Sequence, residues 1–218
     1  MQLSDAGFDV GGGAGGVLAA ANGGAVLFYA HDAESATIER LASWLGRQPW
    51  CGALLTTERV GDVPGTIPAS VANIDGRRGP DLAMSFAWDS TVNETGYPGS
   101  TPSWGGKVGV GNHGGMSRHE LHNTLVARGP SFRRSAVVDS PTGNIDVAPT
   151  ILHILGLSGG EGMDGRVLHE ALVGDDGNAQ VESRSVTHFA ELGNYRQEVK
   201  VTSVGKSVYL DEGNSISG

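Results

Sequence analysis

The sequence predicts an α/β protein, on three observations. An apolar run of strand length, Ala25 to Ala30, is followed by an amphipathic stretch, Asp32 to Gln48, and then by a second apolar run at 50–57. Strand, helix and strand in such short succession is the signature of an α/β module. Further along, DLAMSFAW at 81–88 again has strand character, and a helical pattern returns at 144–157. Finally, 35 of the 218 residues are glycine without a G-X-Y period, which excludes collagen and indicates a globular chain with many tight loops.

Each element has its own reason. GGGAGG at 11–16 precedes the run AVLFYA, so the strand comes after the glycines. That order matches neither a phosphate-binding P-loop nor a dinucleotide fingerprint, and the glycines read as a loop leading into a strand. In the helix Asp32–Gln48, Ile38, Leu41, Ala42 and Leu45 recur at three- and four-residue steps; Asp32 or Ser35 is placed to cap it, and Gly46 lies near its end. WCGALLTT at 50–57 is a strand, Asp62–Pro68 a Pro/Gly turn region, and 81–88 a strand. Residues 89–117 read as one long irregular stretch, of the kind that carries function in compact domains. NTLVARGP at 123–130 reads as a strand followed by a turn. In Asn144–Leu157, Asp146 reads as the N-cap, Pro149 falls in the first turn, Ile151, Leu152, Ile154 and Leu155 form an apolar face, and Gly156 ends the helix. Val199–Leu210 reads as two strands joined near Gly205.

The bulk numbers exclude several classes. Fifteen scattered Lys and Arg against a net charge of −9 predict no binding of a nucleic-acid polymer. With Cys51 alone, no intrachain disulfide and no Cys-x-x-Cys zinc site can form, and its apolar flanks suit a buried small hydrophobe. No apolar run reaches the ~18 residues of a membrane span. The opening MQLSDAGFDV lacks the basic-then-apolar order of a signal peptide.

Chemistry concentrates in GNHGGMSRHELHNTLVARGP. His113 stands between Gly111 and the pair Gly114–Gly115, where bare backbone lets an imidazole face a metal or a substrate; an ordinary loop histidine fits the same pattern. His119 and His122 would share a face on a helix but point apart on a strand, and the apolar run after them favours the strand. Glu120 reads as a solvated or hydrogen-bonded residue. His31, His153, His169 and His188 have no partner at ligand spacing. There is no G-x-S-x-G nucleophile elbow. Asp175-Asp176 and Asp211-Glu212 read as turn residues beside glycine. Asn93, Tyr97 and Trp104 in the long loop, and Arg128, Arg133 and Arg134 after it, are weaker candidates for contacting an anionic substrate.

Three segments, taken in order, resemble the C-terminal part of the alkaline phosphatase superfamily, in its type I phosphodiesterase/nucleotide pyrophosphatase-like branch. GNHGGMSRHELHNTLVARGPSFRR resembles the late metal-histidine loop, NIDVAPTILHILGL a Pro-Thr helix, and MDGRVLHEAL the stretch that follows it; together they span about 60 residues. Residues 25–110 resemble a cap or insertion region, and 111–218 a return to the core sheet. The resemblance implies an alkaline phosphatase-like α/β fold, a mixed sheet flanked by helices, here incomplete. It implies hydrolysis of a small-molecule phosphate ester with two divalent metals, usually zinc, stabilising the attacking and leaving oxygens. His113 matches the last histidine ligand of that site.

The departures are as informative. No N-terminal Asp-Gly metal motif, no Thr nucleophile in its usual setting and no Asp-His-Gly pair is found; residues 31–32 are His-Asp, the reverse order. One ligand stands where a two-metal site needs about six. The expectation is therefore a partial site, with the nucleophile supplied elsewhere, and a chain that by itself binds metal weakly and exposes unpaired edges and apolar surface. The alternatives are a non-catalytic domain retaining the scaffold, or the sulfatase and phosphonoacetate hydrolase chemistries of the same superfamily.

Overall fold

The computed structural model describes residues 3–10, 16–31, 34–104, 111–174 and 181–216. They form two compact units: Met1–His122 with Thr187–Lys200 and Leu210–Gly218, and Asn123–Val186 with Val201–Tyr209. The architecture is mixed α/β with a mixed sheet and few helices.

The first unit is built on a five-stranded sheet of order β1-β2-β5-β3-β4, with β1 Val17–Asn22, β2 Ala25–Ala30, β3 Cys51–Thr56, β4 Ile67–Pro68 and β5 Leu82–Phe86. All neighbouring pairs are antiparallel except β3 with β4. Helix α1, Ser35–Leu45, links β2 to β3, as the strand–helix–strand reading expects. Its Ile38, Leu41 and Leu45 are fully buried and pack into one core with Phe28, Leu54, Leu82 and Met84. That apolar face supplies the helix's stability, since an isolated eleven-residue helix is marginal in water. Glu34, not Ser35, is the N-cap residue, without a side-chain cap; Ser35 bonds Glu39 instead, and Asp32 lies outside the described residues. Gly46 keeps ordinary right-handed backbone. A Cβ there would come within 2.9 Å of the Tyr195 ring, so close packing, not a left-handed cap, calls for the glycine.

β1 was not expected. The Ala-rich run Val17–Asn22 pairs along its whole length with β2 through a two-residue turn, Gly23-Gly24. Gly-Gly is a favoured pair for such a hairpin turn, and Gly23 at its first position has positive φ (+62°). Of the GGGAGG run, only Gly16 is described; it accepts a hydrogen bond from His31 N–H. The long stretch after β5 also holds an unpredicted hairpin, β6 Asp89–Val92 with β7 Pro98–Ser100. Asn93 closes it, its Oδ1 accepting from the backbone N–H groups of Thr95 and Tyr97 and from the Thr95 hydroxyl.

A meander of β8 Arg184–Leu192, β9 Tyr195–Val204 and β10 Ser207–Ser215 completes the strands, joined near Gly205 as expected but longer at both ends. In the first unit, β9 is anchored to β3 by side chains. Tyr195 donates its hydroxyl to Gly52 O (2.7 Å). Gln197, 0 % exposed, accepts from Leu54 N–H through Oε1 (2.8 Å) and donates through Nε2 to Leu54 O (3.0 Å) and Gly65 O (2.6 Å). One amide thus completes both backbone groups of a central-strand residue. Asp81 makes a comparable lock, accepting from Ala30 N–H and from the Arg59 guanidinium (2.7 and 3.0 Å).

In the second unit, α3 spans Val147–Ile154, with Pro149 in its first turn and Gly156 in the left-handed region beyond its end (φ +64°). Asp146 precedes it without capping it directly. Its fully buried carboxylate accepts from Gly143 N–H, Arg166 N–H and the Tyr209 hydroxyl. Arg166 forks onto Glu170 (2.6 and 3.0 Å) and reaches Pro141 O. Burial opposes ionisation of Glu170, but these Arg166 contacts outweigh it and hold the carboxyl below its usual range. Thr150 Oγ1 accepts from Leu168 N–H, so the NIDVAPT and MDGRVL segments are tied directly to each other.

One expected strand is absent. Residues 124–129 of NTLVARGP are irregular and exposed. The β-type pattern is there, but among the described residues no strand pairs with it, and a lone strand leaves its backbone ladder unmade. Val126 is left 82 % exposed, with Val137 at 87 % and Ile151, Leu155 and Leu157 of the α3 region also exposed.

Removing the Gln197 amide strands Leu54 N–H, Leu54 O and Gly65 O in the core. Gln197→Ala is expected to lower the unfolding free energy by roughly 3 kcal/mol, because each buried orphan costs about 1–3 kcal/mol. Urea denaturation would check this; a loss within error of zero would show that the clamp is dispensable.

Candidate functional site

The segment Gly111–His122 lies entirely in the first unit, and its shape is set by a glycine-to-glycine crossing. Gly24 N–H, at the β1–β2 turn, donates to His113 O (2.8 Å), and Gly24 O accepts from Phe86 N–H (3.1 Å). Gly114 has φ +91°, and a Cβ there would stand 2.5 Å from Asn22 O. A Cβ on Gly24 would stand 2.6 Å from Gly115 N. The glycines around His113 therefore let two backbones touch. That is a different role from clearing room for a metal, which the sequence suggested.

The path onward is equally pinned. Gly115 N–H donates to Glu120 Oε1 (3.0 Å), Met116 N–H to the buried Ser85 hydroxyl (2.9 Å), and Met116 O accepts from Gly213 N–H (2.9 Å). Ser117 caps the single turn α2, Arg118–Leu121, by accepting from His119 N–H. Ser117 and Glu120 have capping-box spacing, but Glu120 reaches past the cap to Gly115. Glu120 is thus a hydrogen-bonded structural residue, as its sequence setting suggested.

His113 emerges from this framework exposed, and its ring makes no hydrogen bond or ion pair among the described residues. His119 does not join it. Its Nε2 meets the Ser90 hydroxyl at 3.0 Å, and its ring lies edge-on to Trp88 at 5.8 Å. Arg118 covers the same Trp88 ring and pairs with Glu212. His119 and His122 lie on and at the end of a helical turn, so the expected strand placement is corrected, but the two are not gathered onto a metal. Among the described residues, no group of three His, Cys, Asp or Glu is placed to hold a metal ion. The residues present do not by themselves fit a catalytic zinc, which takes three protein ligands.

The remaining candidates separate further. Asp211 and Glu212 lie in β10, not in a turn, and Glu212 serves Arg118. Asp175-Asp176 lie outside the described residues. Asn93 is used by its own hairpin, Tyr97 is exposed, and Trp104 packs on the core with its N–H on Gly23 O. In the second unit, Arg128, Arg133 and Arg134 line a cavity of about 600 Å³, where Arg133 also donates to Glu170 O. His153 and His169 lie edge to face, 4.9 Å between ring centres. His31 follows the end of β2, and His188 lies in β8.

Cys51 is buried, and burial pushes its thiol up to about 12, only partly offset by its contact with the Tyr195 hydroxyl. The thiolate is the nucleophile, so the residue is inert, as its apolar flanks implied.

No family model, no curated protein and no solved structure matches this chain.

Two outcomes are expected. Gly114→Ala combines left-handed strain with a backbone clash and should cost about 1–3 kcal/mol in thermal or urea unfolding. Cys51 should resist iodoacetamide in the native protein at pH 8 and react once the chain is denatured. The sign of its pH effect follows: above pH 9 the unfolded thiol loses its proton while the folded one keeps it, so stability falls as pH rises from 9 towards 12. Equal stability of wild type and Cys51→Ser across that window would contradict this.

Proposed function

We propose that this chain is the C-terminal part of a metal-dependent phosphate-ester hydrolase of the alkaline phosphatase superfamily, phosphodiesterase or nucleotide pyrophosphatase in type. In this reading His113 is one ligand of a two-metal site; the support is that the loop backbone is held at His113 while the imidazole makes no hydrogen bond or ion pair among the described residues. A side chain so carefully placed and so unused suits recruitment by a metal. The remaining ligands and the nucleophile are proposed to come from sequence outside this chain.

The resemblance in sequence supports the same reading, and the exposed apolar surface of the second unit is consistent with a chain that folds against further structure. With two metals in the complete protein, the chemistry would be stabilisation of attacking and leaving oxygens during phosphoryl transfer. The chain's own part is to hold an imidazole at a fixed place. A non-catalytic scaffold is the second reading, favoured by the lack of a three-ligand group among the described residues.

The readings part on zinc and turnover. For the chain by itself, zinc titration is expected to show only weak binding, and bis-p-nitrophenyl phosphate with added zinc should not be hydrolysed above buffer. In a protein that supplies the other ligands, His113→Ala should reduce zinc-dependent turnover by about 100-fold or more, as loss of a ligand is at least as severe as the 10–100-fold of an outer-shell change. Turnover there that is indifferent to His113→Ala would remove His113 from the site, and robust turnover by the chain alone would overturn the partial-site reading.

A further inference from the structure

The chain contains one Asn-x-Ser/Thr sequence, Asn93-Glu94-Thr95, and it lies at the tip of the β6–β7 hairpin in the first unit. Asn-x-Thr without proline at x is the acceptor pattern for an N-linked glycan, and its use requires an exposed loop. Three residues recur by chance, so the setting in the fold decides what the pattern is worth.

The hairpin is rooted at its base and open at its tip. At the base, the Ser90 hydroxyl meets His119 Nε2 at 3.0 Å. Gly99 packs so closely there that a Cβ on it would lie 2.8 Å from the His119 Cβ. At the tip, Asn93, Glu94, Thr95 and Gly96 are all exposed.

The two ends of the Asn93 amide have different roles. Oδ1 accepts from Thr95 N–H (3.0 Å), from the Thr95 hydroxyl (2.7 Å) and from Tyr97 N–H (3.0 Å). Backbone N–H groups only donate, so the atom facing them is the oxygen. Nδ2 makes no hydrogen bond among the described residues. A glycan attaches at Nδ2, so the bonds that close the turn survive the modification.

The surroundings of the amide suit a sugar. Asn93 N–H donates to Tyr97 O (2.8 Å), which sets Tyr97 opposite Asn93 across the hairpin. Tyr97 is 71 % exposed and Val92, next to Asn93, 60 %. An aromatic ring with a polar tip, left in solvent beside the amide, matches the apolar C–H face and hydroxyl rim of a pyranose.

We propose that Asn93 is the acceptor of an N-linked glycan whose first sugar lies against Tyr97. The donor is an oligosaccharide carried on a polyisoprenyl diphosphate. Nδ2 attacks the anomeric carbon, the bond from that carbon to the diphosphate oxygen breaks, and the lipid diphosphate leaves with the bonding pair. Nδ2 gives up one proton to a base of the transferase, and nothing is oxidised or reduced. The site is separate from His113 and stands whether or not the hydrolase reading does.

The test has two parts. In protein isolated from its own cells, peptide mass mapping is expected to find a glycan on Asn93. The whole chain, translated behind a cleavable export signal into microsomes that supply transferase and donor, should gain one glycan, removable by peptide N-glycosidase. Asn93→Gln and Thr95→Ala should abolish that gain, and Thr95→Ser should keep it. Resistance of the buried Cys51 to iodoacetamide shows that each variant is folded. With the glycan trimmed to its first sugar, the melting temperature should rise above that of the unmodified chain, and Tyr97→Ala should abolish the rise. An Asn93 peptide found only unmodified in the native protein, a wild-type chain left bare in microsomes, or a glycan that survives Thr95→Ala would each overturn the proposal. A sugar that does not raise the melting temperature would remove Tyr97 from the site.

Discussion

The first unit depends on a side chain doing the work of a strand. Leu54 sits in the middle of β3, beside the register shift that separates it from Cys51 in the pairing with β5. Both its backbone groups are satisfied by the Gln197 amide, and the same amide holds Gly65. A buried backbone pair with no ladder partner would be costly, and a lone buried amide equally so. Each resolves the other. Around this exchange Tyr195 fills the space against Gly46 and bonds Gly52, while Gly52 itself must be bare because Phe86 O lies 2.6 Å from any Cβ there. Strand β3, the end of α1 and β9 are therefore mutually conditioned.

Such an arrangement explains which parts of the fold were legible. α1 and strands β2, β3 and β5 announce themselves because their apolar residues repeat at the period of the element and all meet one core. The Pro-Thr helix is legible from its period and from proline and glycine at its ends, although Ile151 and Leu155 of its apolar face are exposed. β1 escapes because alanines carry little strand signal; the Gly23-Gly24 pair between two apolar runs is the cue that marks its hairpin. The β6–β7 hairpin escapes because its strands are exposed and its order comes from one Asn93 side chain. Gln197 is invisible in sequence, since a polar residue on a strand reads as solvent-facing. The opposite error, a strand at 124–129, has the complementary cause: alternation and β-propensity describe a surface that fits a sheet, and the sheet neighbour must exist for the strand to form.

The glycines illustrate the same limit. Gly114 and Gly115 stand out in the sequence as space beside a histidine, but their bareness serves the crossing with Asn22 and Gly24. Sequence shows that side chains are missing at a place and leaves open what occupies the space. Backbone contact there has a functional corollary nonetheless, because it fixes His113 without involving the ring. A metal ligand and an ordinary loop histidine look alike in the sequence; they differ in whether the surroundings already use the imidazole. His119 is used, by Ser90 and Trp88, and His113 is not.

Buried polar groups can be read by the same criterion. Asp81, Asp146, Gln197 and Ser85 are buried with their partners in place, and each ties segments distant in sequence. These polar groups serve cohesion, and their chemistry is spent within the fold. Thr57 shares their burial without their pairing. That exception costs stability, since a valine of the same shape would leave no buried hydroxyl unmet. What distinguishes a site from a scaffold in this molecule is therefore not which residues are polar, but which of the accessible ones the fold has left unengaged.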